Sequence, residues 1–268
     1  MGERDRYEPG TFCWVDLATT DQDAAKAFYA RLLGWEYDDR PVGEGVVYSM
    51  VRLRGRDAAA IAPQPERMRE AGAPPSWMSY VSVQDAGAAA ERARELGATL
   101  FAEPFDVFDV GRMAVVSDPE GAVFALWQPG TQVGAGVVNE PGALSWNDLA
   151  TRDPEGAQRF YGELFGWTFD AVVPVYATIR NGGQMNGGVR VMGPGEEGIP
   201  PHWLPYFAVE EPRRRGGRRR RRGRQDARAA DGGPRRALRG GGRSAGRGLR
   251  ALCGRFRPVS LVHGPESG

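Results

Sequence analysis

The chain has 268 residues, 41% of them hydrophobic, with 35 basic and 34 acidic side chains. That is enough for two domains of ordinary size, each with its own core. No window approaches the roughly 18 apolar residues of a membrane span, and residues 1–10 are polar, unlike a secretory leader, so a cytoplasmic location without a membrane partner is expected. Cys13 and Cys253 are too isolated for a disulfide framework and neither lies in a CxxC, so they read as buried or incidental thiols.

The chain repeats itself, which is the first thing to settle. Pro9-Gly10, Trp14, Asp16-Leu17-Ala18-Thr19, Asp21, Phe28-Tyr29 and Gly34-Trp35 return 132 residues later. The second copies are Pro141-Gly142, Trp146, Asp148-Leu149-Ala150-Thr151, Asp153, Phe160-Tyr161 and Gly166-Trp167.

Taken in chain order, residues 12–18 form a short apolar strand. Asp21 caps a helix on which Ala24, Ala25, Phe28, Leu32 and Leu33 share a face, and Gly34 ends it. Residues 46–53 and 58–62 are strands around a turn at Gly55. A second module repeats the order: a strand at 77–83, a helix capped by Asp85 and running to Leu96 with Gly97 at its end, then strands at 99–101, 112–117 and 122–127. Asp118-Pro119-Glu120-Gly121 is the turn between the last two. Residues 128–139, rich in Gly and Val, read as a linker. The third module spans about 142–192, with Pro154 at the first helical position. After a Gly/Pro/Glu loop, Trp203, Tyr206 and Val209 echo Trp77, Tyr80 and Val83 at an offset of 126, which opens a fourth module.

There the pattern breaks. Residues 212–258 hold 18 Arg and two acids, leaving 17 basic and 32 acidic residues elsewhere. A net charge of +1 therefore hides a segment at +16 and a remainder at −15. A solvated insert and an arginine tail for nucleic acid are two explanations, although the tail lacks the interleaved aromatics of a single-strand binder. The preferred one is a shifted reading frame. In GC-rich DNA, alanine codons read one base off give arginine, and a core helix is missing where the local pattern requires one. Residues 259–262 resemble the closing strand 124–127.

The motif Trp-x-Asp-Leu-Ala-Thr-x-Asp, the run AFYARLLGW and the hairpin SDPEGAVFALWQP resemble the vicinal-oxygen-chelate family: glyoxalases, bleomycin-resistance proteins and extradiol dioxygenases. The resemblance covers roughly residues 9–211, plus a fragment at the end. It implies an α+β fold of tandem, paired β-α-β-β-β modules whose sheets curl into open cups, with the fourth module disrupted by the Arg/Gly segment. The domains expected are 1–130 and 141–268, joined by 131–140 and aberrant from about 212.

In metal-dependent members the ligands are His or Glu on the first strands and a Glu on the last. The matching positions here hold Trp14, Met78 and Ala125 in one half, and Trp146 and Leu204 in the other. His202 and His263, the two histidines, lie elsewhere, His202 as an edge residue. A metal-free branch with no cofactor follows, binding a small organic ligand in an aromatic-lined cup.

Strand parity puts Trp14, Asp16, Met78, Tyr80 and Trp127 on one cup wall, and Trp146, Asp148 and Tyr206 on the other; these are the expected ligand-binding residues. Asp16 and Asp148 are the candidates for acid or base, with catalysis itself left open and a hydrogen bond to the neighbouring turn as the plain alternative. For the tryptophans, core packing is the plain alternative. Tyr48 and Tyr176 read as packing. A metal-dependent lyase, isomerase or dioxygenase and a nucleic-acid binder are the alternative functions, and homodimerisation is left open. There is no phosphate loop, no GxGxxG after a strand and no serine nucleophile elbow.

Overall fold

The helices begin where a short acidic side chain can satisfy their free amides. In a computed structural model that describes residues 2–43, 45–210 and 257–260, the last four as backbone, Asp21 caps α1 (Gln22–Leu33) by accepting from Ala24 N. Asp85 does the same for α3 (Ala86–Glu95) through Ala88 N, and Asp153 for α4 (Pro154–Phe165) through Gly156 N. Gly34 and Gly166 end α1 and α4 at φ +72°, a left-handed conformation that a Cβ would strain.

The first half supplies β1 (Phe12–Thr19), β2 (Glu36–Gly43), β3 (Val46–Leu53), β4 (Arg56–Pro63), the short α2 (Glu66–Glu70), β5 (Ser76–Ser82), β6 (Thr99–Val107), β7 (Gly111–Ser117) and β8 (Val123–Pro129). They form one eight-stranded sheet in the order β2-β3-β4-β1-β5-β8-β7-β6. The two modules join through the antiparallel pair β1·β5, with Trp14 opposite Tyr80 and Asp16 opposite Met78. The second half repeats this with β9 (Leu144–Thr151), β10 (Thr168–Val173), β11 (Tyr176–Asn181), β12 (Gln184–Val191) and β13 (His202–Val209), in the order β10-β11-β12-β9-β13-β14.

The last strand, β14 (Arg257–Ser260), lies antiparallel to β13, whereas β8 lies parallel to β5. Of residues 259–262, expected to resemble the closing strand, 261 and 262 lie outside the described residues. The Arg/Gly segment itself lies outside the described residues, as do Cys253 and His263.

β2 and α2 go beyond the sequence expectation. β2 is a polar, largely exposed strand at the sheet edge, without the alternation that marks a half-buried one. The stretch expected as a linker is packed: Ala135, Val137 and Val138 are buried, and Ala135 N donates to Cys13 O at 2.8 Å.

Strand parity holds as expected. Val15 and Leu17 face α1, while Trp14 faces the cup. The helix-bearing faces of the two sheets meet in two inter-half cores. One gathers α3 and α4 with Phe124, Leu126, Leu149 and Trp203; the other gathers α1 with Val15, Leu144 and Phe207. Two hydrogen bonds swap between the halves. Trp35 Nε1 donates to Gly142 O at 2.7 Å, and Trp167 Nε1 to Gly10 O at 2.8 Å. These are the Gly-Trp and Pro-Gly elements of the repeat, so each copy's indole closes on the other copy's entry turn.

In the α3/α4 core, Tyr161 is fully buried, accepts from Trp203 Nε1 at 3.0 Å and donates to Asp118 Oδ2 at 2.9 Å. Burial raises the Asp118 carboxyl above its usual range despite that bond and the amides of Glu120, Gly121 and Ala122. Replacing Tyr161 by Phe leaves an indole N–H and a carboxyl short of a partner in a dry site. Tyr161→Phe is expected to cost about 1–3 kcal/mol in urea unfolding, and a loss under about 0.5 kcal/mol would contradict this account of the core.

Candidate functional site

Asp16 sits on β1 in a cup whose other walls are apolar, and it needs hydrogen-bond partners there. Two phenols provide them. Tyr80 of β5 donates to Asp16 Oδ2 at 2.7 Å and Tyr48 of β3 at 3.2 Å. Trp14 Nε1 in turn donates to the Tyr48 oxygen at 3.2 Å. Around this group pack Met50, Met78, Met113 and Trp127, with Tyr80 and Trp127 edge to face at 6.4 Å. Trp127 is anchored by its indole N–H to Gln132 O at 3.0 Å. Ala125, beside Tyr80 on β8, is fully buried. From outside the sheet, Ala135, Val138 and Tyr7 close on the same cluster, the Tyr7 hydroxyl donating to Ala135 O at 2.6 Å.

The second cup reproduces the group. Tyr176 of β11 donates to Asp148 Oδ1 at 2.9 Å, and Trp146 Nε1 donates to the same oxygen at 2.7 Å. The Tyr206 hydroxyl also bonds the Asp148 carboxyl. Trp146, Tyr176 and Tyr206 are half-buried, so this wall is the less covered of the two. Gly188 lies opposite Asp148 on β12, and a Cβ there would stand 2.1 Å from the Tyr176 oxygen and 2.3 Å from Asp148 Oδ1. The cradle therefore needs glycine at that point. Arg190, two residues on, pairs with Glu196 through both guanidinium nitrogens, at 2.7 and 3.0 Å.

Burial governs the electrostatics. It pushes the Asp16 carboxyl up to about 6, against the pull of the Tyr80 and Tyr48 hydrogen bonds, and raises Asp148 in the same way. Tyr48 and Tyr80 are driven well above the usual phenol range by burial and by the neighbouring Asp16 charge. They stay protonated and remain donors. A carboxyl that titrates near 6 can accept or return a proton close to neutral pH.

The expected site residues thus come together as two groups: Trp14, Asp16, Met78, Tyr80 and Trp127 in one cup, Trp146, Asp148 and Tyr206 in the other, with Leu204 buried opposite Asp148. Two corrections follow. Tyr48 and Tyr176 are hydrogen-bond partners of the carboxyls, more than packing. The carboxyls bond to these phenols and, for Asp148, an indole, where a neighbouring turn was the plain alternative. Their spacing from the strands hid this, because β3 and β11 reach β1 and β9 only through β4 and β12. His202 starts β13 half-buried and bonds Pro200 O through Nδ1.

In the first cup the positions expected to match the family's metal ligands, Trp14, Met78 and Ala125, carry indole, thioether and methyl groups, and the carboxylate of Asp16 is already held by two phenols. This donor set does not fit a divalent cation, which takes imidazole, carboxylate or thiolate. Two clefts lie away from the cups. One, of about 380 Å³, runs along α4 past Pro119, Arg159 and Glu163, and one of about 270 Å³ lies beside Arg56 and Gln132.

The Glyoxalase/Bleomycin resistance protein/Dioxygenase superfamily matches residues 11–126. "Putative glyoxylase CFP32" of Mycobacterium tuberculosis (strain CDC 1551 / Oshkosh) is 44% identical over 216 residues, covering 79% of this chain and 82% of that protein. "Anthracycline biosynthesis protein DnrV" of Streptomyces peucetius is 31% identical over 225 residues, 77% of this chain and 79% of that protein. Among solved structures, the Mn(II)-bound glyoxalase from Novosphingobium aromaticivorans has a TM-score of 0.52 at 14% identity, covering 72% of this chain and 63% of that one. The chain therefore spans less than two thirds of that structure. A variant of homoprotocatechuate 2,3-dioxygenase from B. fuscum has a TM-score of 0.51 at 14% identity, over 78% of this chain and 71% of that one. The chain belongs to the glyoxalase, bleomycin-resistance and dioxygenase superfamily.

The raised Asp16 fixes a pH signature. The folded chain holds this proton to about 6, the unfolded chain only to about 3.8. Below pH 4 both states are protonated and nothing is lost. As the pH rises from 4 to 6 the unfolded state releases its proton first, so Asp16 increasingly destabilises the fold, and the effect is complete above 6. Asp16→Asn removes this dependence. Its stability in urea relative to the unmodified protein should climb between pH 4 and 6 and then level; a constant difference across that window would count against the buried, protonatable carboxyl.

Proposed function

We propose that the chain binds a small planar organic molecule against the aromatic wall of a cup, without a resident metal, and that Asp16 or Asp148 can exchange a proton with it. The observation that carries this is the Asp-Tyr-Tyr-Trp group built twice, in both cups, where family members that use a metal place its ligands. Flat aromatic faces and one polar anchor suit a planar ligand with an oxygen or nitrogen at its edge. Likeness to proteins named for anthracycline biosynthesis favours a polycyclic aromatic compound over a small aliphatic one. The half-buried Trp146, Tyr176 and Tyr206 make the second cup the more accessible wall.

The second reading, a metal-dependent lyase, isomerase or dioxygenase, is favoured by the likeness to a protein named as a glyoxylase. It needs ligands that Trp14, Met78 and Ala125 do not supply. No helix among the described residues is long and apolar enough to cross a membrane.

Both readings meet one experiment. The purified protein is assayed for bound Mn, Fe, Ni and Zn and titrated with 1,8-dihydroxyanthraquinone while tryptophan emission is followed. Saturable quenching with under about 0.1 metal per chain is expected, weakened at least tenfold in Trp146→Ala, a loss of about 1.4 kcal/mol. A stoichiometric metal whose removal abolishes binding would overturn the proposal.

A further inference from the structure

The two inter-half cores follow one plan, but among the described residues only one of them holds both of its helices. In the first, α4 and α3 lie side by side, bridged by Arg92 and Glu163 at 3.0 Å. Ala86, Ala90 and Ala93 of α3 are buried there, under Phe124 and Leu126 of β8. Phe160 of α4 is 5% exposed, and Leu164 packs on the same core.

α1 has the equivalent face, 132 residues earlier in the chain. Its Phe28, matching Phe160, is only partly buried, and its Leu32, matching Leu164, is 41% exposed. Since the two helices agree at Phe-Tyr and at the leucine, the difference lies in what stands next to them. The neighbour of α4 is α3, which follows β5 after Val83-Gln84-Asp85. The strand in the place of β5 in the other core is β13, whose Phe207 already packs edge-on to Trp35 at 5.2 Å and tilted against Trp77 at 5.1 Å. A helix made largely of alanine should therefore start within a few residues of Val209.

The sequence at that place is Pro212-Arg213-Arg214-Arg215-Gly216-Gly217, followed by five arginines. It offers no apolar face, glycine weakens a helix, and burying unpaired guanidinium groups against Phe28 and Leu32 is prohibitive. Alanine and arginine codons of the forms GCN and CGN interconvert when a G- and C-rich run is read one base off. A chain with one lysine among its 35 basic residues fits such a gene.

We propose that the outer face of α1, at Phe28 and Leu32, is the docking surface for an alanine-rich helix that directly follows β13, and that the gene encodes this helix in a second reading frame across the codons now read as Arg and Gly. In the native product the helix covers α1 as α3 covers α4. The inference is independent of which ligand the cups take.

The test is the intact mass, with peptide sequencing, of the protein made from its own chromosomal gene. A mass different from the 29.2 kDa of this sequence, with an alanine-rich peptide after Val209, is expected; a mass and peptides that match this sequence overturn the proposal. In the same product, Leu32→Asp and Leu164→Asp should each lower Tm by about 4 °C or more. An unchanged Tm for Leu32→Asp alone means a bare face, and a dimer that Leu32→Asp dissociates means a second copy covers it; either contradicts the docking of an intrachain helix.

Discussion

A carboxyl group on the inner wall of an apolar cup must be hydrogen-bonded or neutral, and this constraint shapes the rest of the site. In each half the requirement is met by phenols from strands on either side of the first strand, Tyr48 and Tyr80 around Asp16, Tyr176 and Tyr206 around Asp148. Those phenols and the adjoining indoles crowd around the carboxyl of each cup. The cup becomes an aromatic surface with one tunable proton, and the sheet order that brings β3, β1 and β5 together is what allows it.

The outer faces of the same sheets do the structural work. Because the helices lie between the halves, neither half is complete alone. The paired indole bonds from Trp35 to Gly142 and from Trp167 to Gly10 make the two copies depend on each other through the residues that define the repeat. Ser79 and Asn147 add a buried bond of 2.8 Å at the centre, between β5 and β9. Cohesion thus lies on the helix-bearing faces, away from the carboxyl groups of the cups.

Much of this was legible in the sequence. The fixed offset of the repeat gave the modules, the aspartate caps gave the helices, and period-two parity separated Trp14 and Asp16 from Val15 and Leu17. Three features were not. β2 is an exposed, polar edge strand with no alternation to detect. Residues 135–138 look like a flexible link by composition, yet Ala135 and Val138 pack against the first cup's cluster and Val137 against the α1 core; Gly134 at φ +124° passes Cys13 O with no room for a side chain. The role of Tyr48 and Tyr176 depends on curvature across three strands, and patterns along a strand do not record which side chains meet across a cup. The tryptophan–glycine swap was invisible for the same reason: periodicity shows what is buried and is silent on the partner.

Burial, opposed by two phenol hydrogen bonds, sets the behaviour of the first-strand carboxyl. The most direct measurement is the 13C carboxyl titration of Asp16 by NMR in the folded protein. A midpoint near 6 is expected from burial opposed by the two phenol bonds. A midpoint near 4, the value of an exposed aspartate, would contradict it.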